Sequence, residues 1–191
     1  MSNFINNSHK IVLIHVPKCG GSSIRLYSSL VFERERYLGY LPEKYQKYTI
    51  IGMCRHPIDR FLSAYKMFKY GTSDKKKRWG DLDINTAIDI LEDSNISPGP
   101  VGTGGIGRMT VREHFKHHVI PISHPYNCME YSTEIIRFEN YMEDTSRFFK
   151  GVEIPHRHKT EKKDISLTDE EKERLYDIYR EDFKTYRYEL K

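Results

Sequence analysis

Residues 17–23 read Pro-Lys-Cys-Gly-Gly-Ser-Ser and follow the apolar run 10–16, KIVLIHV. Two adjacent glycines let a backbone approach a ligand closely, and a helix starting after them offers unpaired N–H groups and a positive dipole end. Ser22 and Ser23 add hydroxyl donors, Gly20 and Gly21 supply the close approach, and Lys18 adds a positive charge at the entry of the loop. Together these residues form an anion cradle suited to phosphate or sulfate. A Walker A loop, GxxxxGK[ST], carries its lysine after the second glycine. Here Lys18 precedes both glycines, which disfavours an ordinary nucleotide triphosphatase. The same stretch holds Cys19-x5-Arg25. In cysteine-dependent phosphatases that spacing lets a thiolate attack phosphorus while loop amides and an arginine hold the remaining oxygens. A phosphatase is therefore the alternative, weakened by Lys18 before the cysteine and by Leu26 where a hydroxyl residue usually follows the arginine.

A second constellation lies at residues 54–65, CRHPIDRFLSAY. Arg55 is expected at the C-terminal end of a strand, where open α/β sheets bind ligands. Pro57 suits the first turn of a helix. In that helix Phe61, Tyr65 and Phe68 fall on one apolar stripe, while Arg60, Ser63 and Met67 fall on another face. An apolar core does not require Arg60 or Ser63, so both are candidates for a second anion site at the same sheet edge. A ligand phosphorylated at its 5′ and 3′ positions would need such a pair.

Positioning these residues requires a sheet. Residues 10–16 and 48–54 (YTIIGMC) read as buried strands, and Thr133–Phe138 (TEIIRF) as a third. Val119–Ile122 is a candidate for a fourth. Helices are expected from about Ser23, where Ile24, Tyr27 and Val31 repeat on one face, and through NYMEDTSRFF after the third strand. A charged C-terminal helix is expected over about 168–183, opened by a T-x-x-E capping box at Thr168 and Glu171. Strands alternating with helices imply an α/β fold with a central parallel sheet. Lys75–Arg78 (KKKR) reads as a solvated loop. Ser97–Gly107 reads as a mobile loop whose GxGxxG, at Gly102, Gly104 and Gly107, follows prolines instead of the strand a dinucleotide site needs.

VPKCGGSSI resembles the 5′-phosphosulfate loop of sulfotransferases, usually PKTGGTS, and RHPIDRFLSAY resembles their 3′-phosphate motif, R-[DN]-P-x-x-R-x-x-S-x-Y. TEIIRFENYMEDTSRFF is similar to the strand and helix carrying an R-F-E-N signature in the carbohydrate-type branch, sulfotransferase family 2. EDFKTYRYEL is similar to that branch's D-x-x-x-F-x-Y close. The departures are Cys19 for Thr, Ser22 for Thr and His56 for Asp or Asn. The resemblance implies one domain over 1–191 with a P-loop-NTPase-like three-layer fold, its central parallel sheet flanked by helices. It also implies sulfuryl transfer from 3′-phosphoadenosine 5′-phosphosulfate to a hydroxyl or amine of a carbohydrate or small metabolite, without a metal. On that basis Lys18 stabilises charge on the leaving phosphate, and Cys19, Gly20, Gly21, Ser22 and Ser23 line the 5′ end. Arg55 and Ser63 would hold the 3′-phosphate. For the base that takes the acceptor proton, Glu35 is the first choice, with Glu33, His114, His117 and His118 as alternatives. A nucleotide-binding protein without turnover is a further alternative.

Composition bounds the rest. The chain has 191 residues, 38% hydrophobic and 30% charged, with a mean hydropathy of −0.69. A chain of that length buries roughly 70% of its unfolded surface, enough for a core without disulfide or metal staples. No segment reaches the ~20 apolar residues of a membrane span. The N-terminus is too polar for a signal peptide. The balance of 31 basic and 27 acidic residues, net +4, is milder than a nucleic-acid binder's basic stripe, so neither nucleic acid nor membrane is an expected partner. Cys19, Cys54 and Cys128 form no CxxC pair, which favours reduced thiols in a cytoplasmic setting. The nine histidines show no zinc spacing. His156 and His158 come nearest to one, in a polar loop.

Overall fold

The two strongest apolar runs pair with each other in parallel. β2 (Ile11–Leu13) and β4 (Thr49–Cys54) run side by side with Val12 opposite Ile50, and the Ile14 amide still donates to the Ile51 carbonyl at 2.9 Å. Beyond Ile14 the chain leaves the ladder. The expected strand over 10–16 is therefore shorter, although Ile14 and Val16 stay fully buried. Both strands read as continuous apolar runs because both of their faces are covered. The structure, a computed structural model, describes residues 3–27, 31–35, 39–71, 79–99, 109–149, 154 and 164–190. The basic run 75–78, the glycines at 102, 104 and 107, and His156 and His158 lie outside the described residues.

The chain divides into two compact units: Met1–His56 with Ile122–Lys159, and Pro57–Pro121 with Thr160–Lys191. The first carries a five-stranded sheet in the order β3-β1-β2-β4-β5. β5 (Glu134–Arg137) is parallel to β4, as expected of the third apolar run. β1 (Asn3–Asn6) and β3 (Glu33–Glu35) are strands that the apolar pattern does not reveal. β1 is antiparallel to both neighbours, so the sheet is mixed and not wholly parallel. Asn6 is buried at the end of β1 because its side chain is satisfied twice: Nδ2 donates to the Val31 carbonyl, and Oδ1 accepts from the His9 amide. α1 (Gly21–Tyr27) follows β2, and α5 (Tyr141–Phe148) follows β5. Ile24 is buried as expected, but Val31 lies past the helix and is 82% exposed.

The second unit is helical. α2 (Pro57–Tyr70) buries Phe61, Tyr65 and Phe68, the stripe read from the sequence. The Phe61 and Phe68 rings meet Phe115 of α4 (Val111–Val119) edge to face at 6.1 and 5.3 Å. α3 (Ile84–Glu92) starts at Asp83, which caps the Thr86 amide, and buries Ala87, Ile88 and Leu91. The Thr168–Glu171 capping box opens α6 (Asp169–Ile178), but the helix breaks at Tyr179 and α7 (Arg180–Thr185) takes over. The expected single helix to Phe183 is thus two. Val119–Ile122 is not a strand: α4 ends at Val119, and the Ile120 amide closes its last turn on the Lys116 carbonyl. α4 opens with the same capping-box chemistry, Thr110 and Glu113 exchanging bonds.

Candidate functional site

The loop after β2 is built on two residues in the left-handed region. Lys18 has φ +69° and Gly20 has φ +92°. The Ser23 amide donates to the Gly20 carbonyl at 3.0 Å, starting α1. Each glycine is required for a different reason. A Cβ on Gly20 would sit 3.3 Å from the rings of Phe138 and Tyr141, and one on Gly21 would sit 2.7 Å from His15 Nδ1. The loop is therefore pressed onto two aromatic rings on one side and onto the end of β2 on the other. Ser22 is exposed, whereas Ser23 is buried beside the Tyr141 phenol. Burial pushes that phenol up to about 12. Of the two hydroxyls expected to serve an anion, only Ser22 is exposed.

Arg55 follows the last residue of β4 and turns to this loop. Its Nη1 donates to the Lys18 carbonyl at 3.2 Å, and its guanidinium lies 4.0 Å from the centroid of the Phe138 ring. The next residue is pinned too: the His56 amide donates to Glu139 Oε1 at 2.8 Å. Phe138 and Glu139 belong to a 3-10 turn, Phe138–Asn140, between β5 and α5. That turn is braced in its own right, since the Arg137 amide donates to Asp144 Oδ2 at 2.7 Å. Burial, and next the positive charge of Arg55, lower the Lys18 ammonium from 10.5 to about 8. Two cations held together in this way favour an anion between or beside them.

The first unit thus brings together Lys18, Cys19, Gly20, Gly21, Ser22, Ser23 and Arg55. Glu35 shares that unit. β3 is antiparallel to β1, and β1 to β2, so β3 points the same way as β2. Glu35 stands opposite Asn3, at the sheet end where β2 leads into the loop. It is two strands from β2, about 10 Å at the usual strand spacing. Glu33 starts the same strand and accepts from Asn7 Nδ2 at the surface. Ser63 lies half-buried on α2 in the helical unit.

Several sequence readings change. Arg60 is fully buried and acts structurally. Its guanidinium donates to the carbonyls of His118 and Val119, at 3.0 and 3.1 Å, and to that of Ile120. It closes the C-terminal end of α4 and is not an exposed anion ligand. His114, His117 and His118 lie on α4 in the same unit. His117 is buried with Nδ1 donating to the Pro98 carbonyl, and burial lowers it to about 4. The phosphatase reading gains no support, because Cys19 is fully buried and Arg25 lies over the Phe4 ring at 5.3 Å. All three cysteines are free thiols. Among the described residues no group of three or more His, Cys, Asp or Glu is placed to hold a metal, and no helix is long and apolar enough to cross a membrane.

Phe138, Glu139 and Tyr141 are the site residues to which sequence reasoning gives no role. Their signal is the R-F-E-N run itself, which no local pattern connects to Arg55. A search of curated proteins and a search of solved structures each find no match. A family model described as the sulfotransferase family does match, over residues 2–189. That span takes in the anion loop, Arg55, the turn that holds it and the C-terminal helices, and the chain belongs to the sulfotransferase family.

Proposed function

We propose that this sulfotransferase takes its sulfuryl group from 3′-phosphoadenosine 5′-phosphosulfate and passes it to a hydroxyl or amine of a carbohydrate or small metabolite. The observation that carries the reading is the bond from Arg55 Nη1 to the Lys18 carbonyl. It ties the guanidinium of one motif to the backbone of Lys18 in the other, at the end of the parallel strands, where a doubly phosphorylated nucleotide would need both. The same pairing of a β2–α1 loop with parallel β2, β4 and β5 supports a P-loop-NTPase-like core. The free thiols support a reducing, cytoplasmic compartment.

The donor supplies an activated S–O bond; the residues supply position and charge. Lys18 stands at the loop entry, where its ammonium stabilises the negative charge that develops on the bridging oxygen as the acceptor oxygen bonds to sulfur and the old S–O bond breaks. The amides of Gly20 and Gly21 and the Ser22 hydroxyl hold the 5′-phosphate in line with the acceptor. Arg55, steadied by Phe138, takes the 3′-phosphate, and Ser63 is assigned to the same phosphate from its place in the sequence motif. The acceptor proton goes to a carboxylate, for which Glu35 is our assignment on the strength of its place at the same sheet end.

The test has two parts. 3′-Phosphoadenosine 5′-phosphate should raise the melting temperature of the wild type, and Arg55→Ala should remove that rise. A screen with radiolabelled sulfate donor over glycans, lipids and hydroxylated metabolites should then identify the acceptor, and Glu35→Gln should stop transfer without altering nucleotide binding. Donor binding with no transfer to any acceptor would favour a binding protein. Phosphomonoester hydrolysis lost in Cys19→Ser, with no nucleotide effect, would favour the phosphatase.

A further inference from the structure

The turn between β5 and α5 lies on no reacting group, yet it touches both cationic elements of the site. Phe138 offers its ring face to the Arg55 guanidinium at 4.0 Å, and the same ring lies where a Cβ on Gly20 would meet it at 3.3 Å. Glu139 accepts the amide hydrogen of His56, the residue after Arg55. The turn is itself fixed from α5 by Asp144. Arg55 is consequently held at three points: its head against Phe138, one Nη on the Lys18 carbonyl, and its backbone exit on Glu139. A guanidinium has long side-chain freedom to lose when it binds an anion, so fixing it beforehand improves both affinity and selectivity.

We propose that Phe138 and Glu139 are positioning residues, which set the Arg55 guanidinium and thereby the preference of the site for nucleotides carrying a 3′-phosphate. The proposal rests on the donor reading given above. It gives the R-F-E-N run a physical role, performed through Arg55 and not by contact with the reacting atoms. Phe138→Leu keeps an apolar side chain under Gly20 but removes the ring face, and Phe138→Tyr keeps the ring. Glu139→Ala removes the acceptor for the His56 amide, and Glu139→Gln retains a carbonyl oxygen there.

Calorimetric titration of the full chain with 3′-phosphoadenosine 5′-phosphate and with adenosine 5′-phosphate gives a ratio of dissociation constants that isolates the 3′-phosphate. The wild type should prefer the bisphosphate. Phe138→Leu and Glu139→Ala should each reduce the preference about tenfold, the scale of one stacked or charge-assisted contact. Their affinity for adenosine 5′-phosphate should change by less than about twofold, and Phe138→Tyr and Glu139→Gln should stay near wild type. Equal weakening of both nucleotides would overturn the proposal and leave these residues a structural role only. So would an unchanged ratio in Phe138→Leu and Glu139→Ala. A wild type without any preference for the 3′-phosphate would overturn the donor reading itself, and this proposal with it.

Discussion

Replacing Arg60 by methionine separates a structural arginine from an anion ligand. The guanidinium donates to three consecutive carbonyls at the C-terminal end of α4, those of His118, Val119 and Ile120. Val119 has a second donor, the Tyr179 hydroxyl at 2.5 Å, whereas Arg60→Met takes the guanidinium donor away from the buried Ile120 and the half-buried His118. An unsatisfied buried carbonyl costs about 1–3 kcal/mol. Arg60 and Asp182 both act on the buried Tyr179 phenol, and Asp182 is itself fully buried. Methionine recovers some of this through packing, leaving a loss of about 3 kcal/mol. For a chain of this size that lowers the melting temperature by about 6–12 °C. Thermal melting by circular dichroism measures it directly. Tyr179→Phe, which removes only one of the two donors on Val119, should cost about 1 kcal/mol. The reasoning fails if Arg60→Met melts within about 2 °C of wild type while losing 3′-phosphoadenosine 5′-phosphate. Arg60 would then be a ligand group after all.

Three further outcomes are expected. Gly20→Ala forces a side chain into φ +92° and against Phe138 and Tyr141, so it should destabilise by about 1–2 kcal/mol and abolish the nucleotide-induced rise in melting temperature; Gly21→Ala should displace His15 and do the same. Burial and Arg55 bring Lys18 down to about 8, so nucleotide affinity should fall about tenfold between pH 7 and pH 9 as the ammonium is lost. Lys18→Met should flatten that dependence. The unfolded chain holds the lysine proton up to its ordinary 10.5, so the ligand-free protein should gain stability from this group as pH rises from about 8 to 10.5, seen as a rising denaturant midpoint. His117 titrates near 4 in the fold against 6.5 when unfolded. Stability should therefore drop as pH falls through that window, and His117→Asn should show a smaller acid-side loss in the same melts.

Local chemistry is the legible part of this chain. Lys18, Gly20, Gly21 and Arg55 can be assigned because a strand, a glycine pair and a helix start are neighbours in sequence, and their anion chemistry needs little else. β1 escapes such reading because Asn3 and Asn6 make half of a four-residue strand polar. Only the folded structure shows that Asn6 is satisfied by Val31 and His9. Val119–Ile122 has the composition of a strand, yet it is the end of a helix whose start is marked by Thr110 and Glu113. Arg60 misleads for a related cause. Its place off the apolar stripe of α2 implies an outward face, whereas its acceptors lie 58–60 residues further along the chain. Burial of a charged group depends on partners that no local pattern contains.

The bond between Arg55 and Lys18 links loop shape to site charge. A non-glycine residue at φ +69° is held against its own sterics, at a cost on the order of 1–2 kcal/mol. The carbonyl of that same residue accepts a charge-assisted bond from Arg55, a kind of contact worth about 1.5–3 kcal/mol. The two terms are of similar size and opposite sign, so the loop keeps its turn while the guanidinium is in place. Arg55 is then at once a candidate 3′-phosphate ligand and a support for the 5′ loop, and Arg55→Ala removes both functions together. Arg55→Lys retains the positive charge beside the loop but lacks the planar face that Phe138 covers. If the loop and the 3′ site are coupled through this one side chain, Arg55→Lys keeps adenosine 5′-phosphate binding and loses the preference for a 3′-phosphate, the same signature expected of Phe138→Leu.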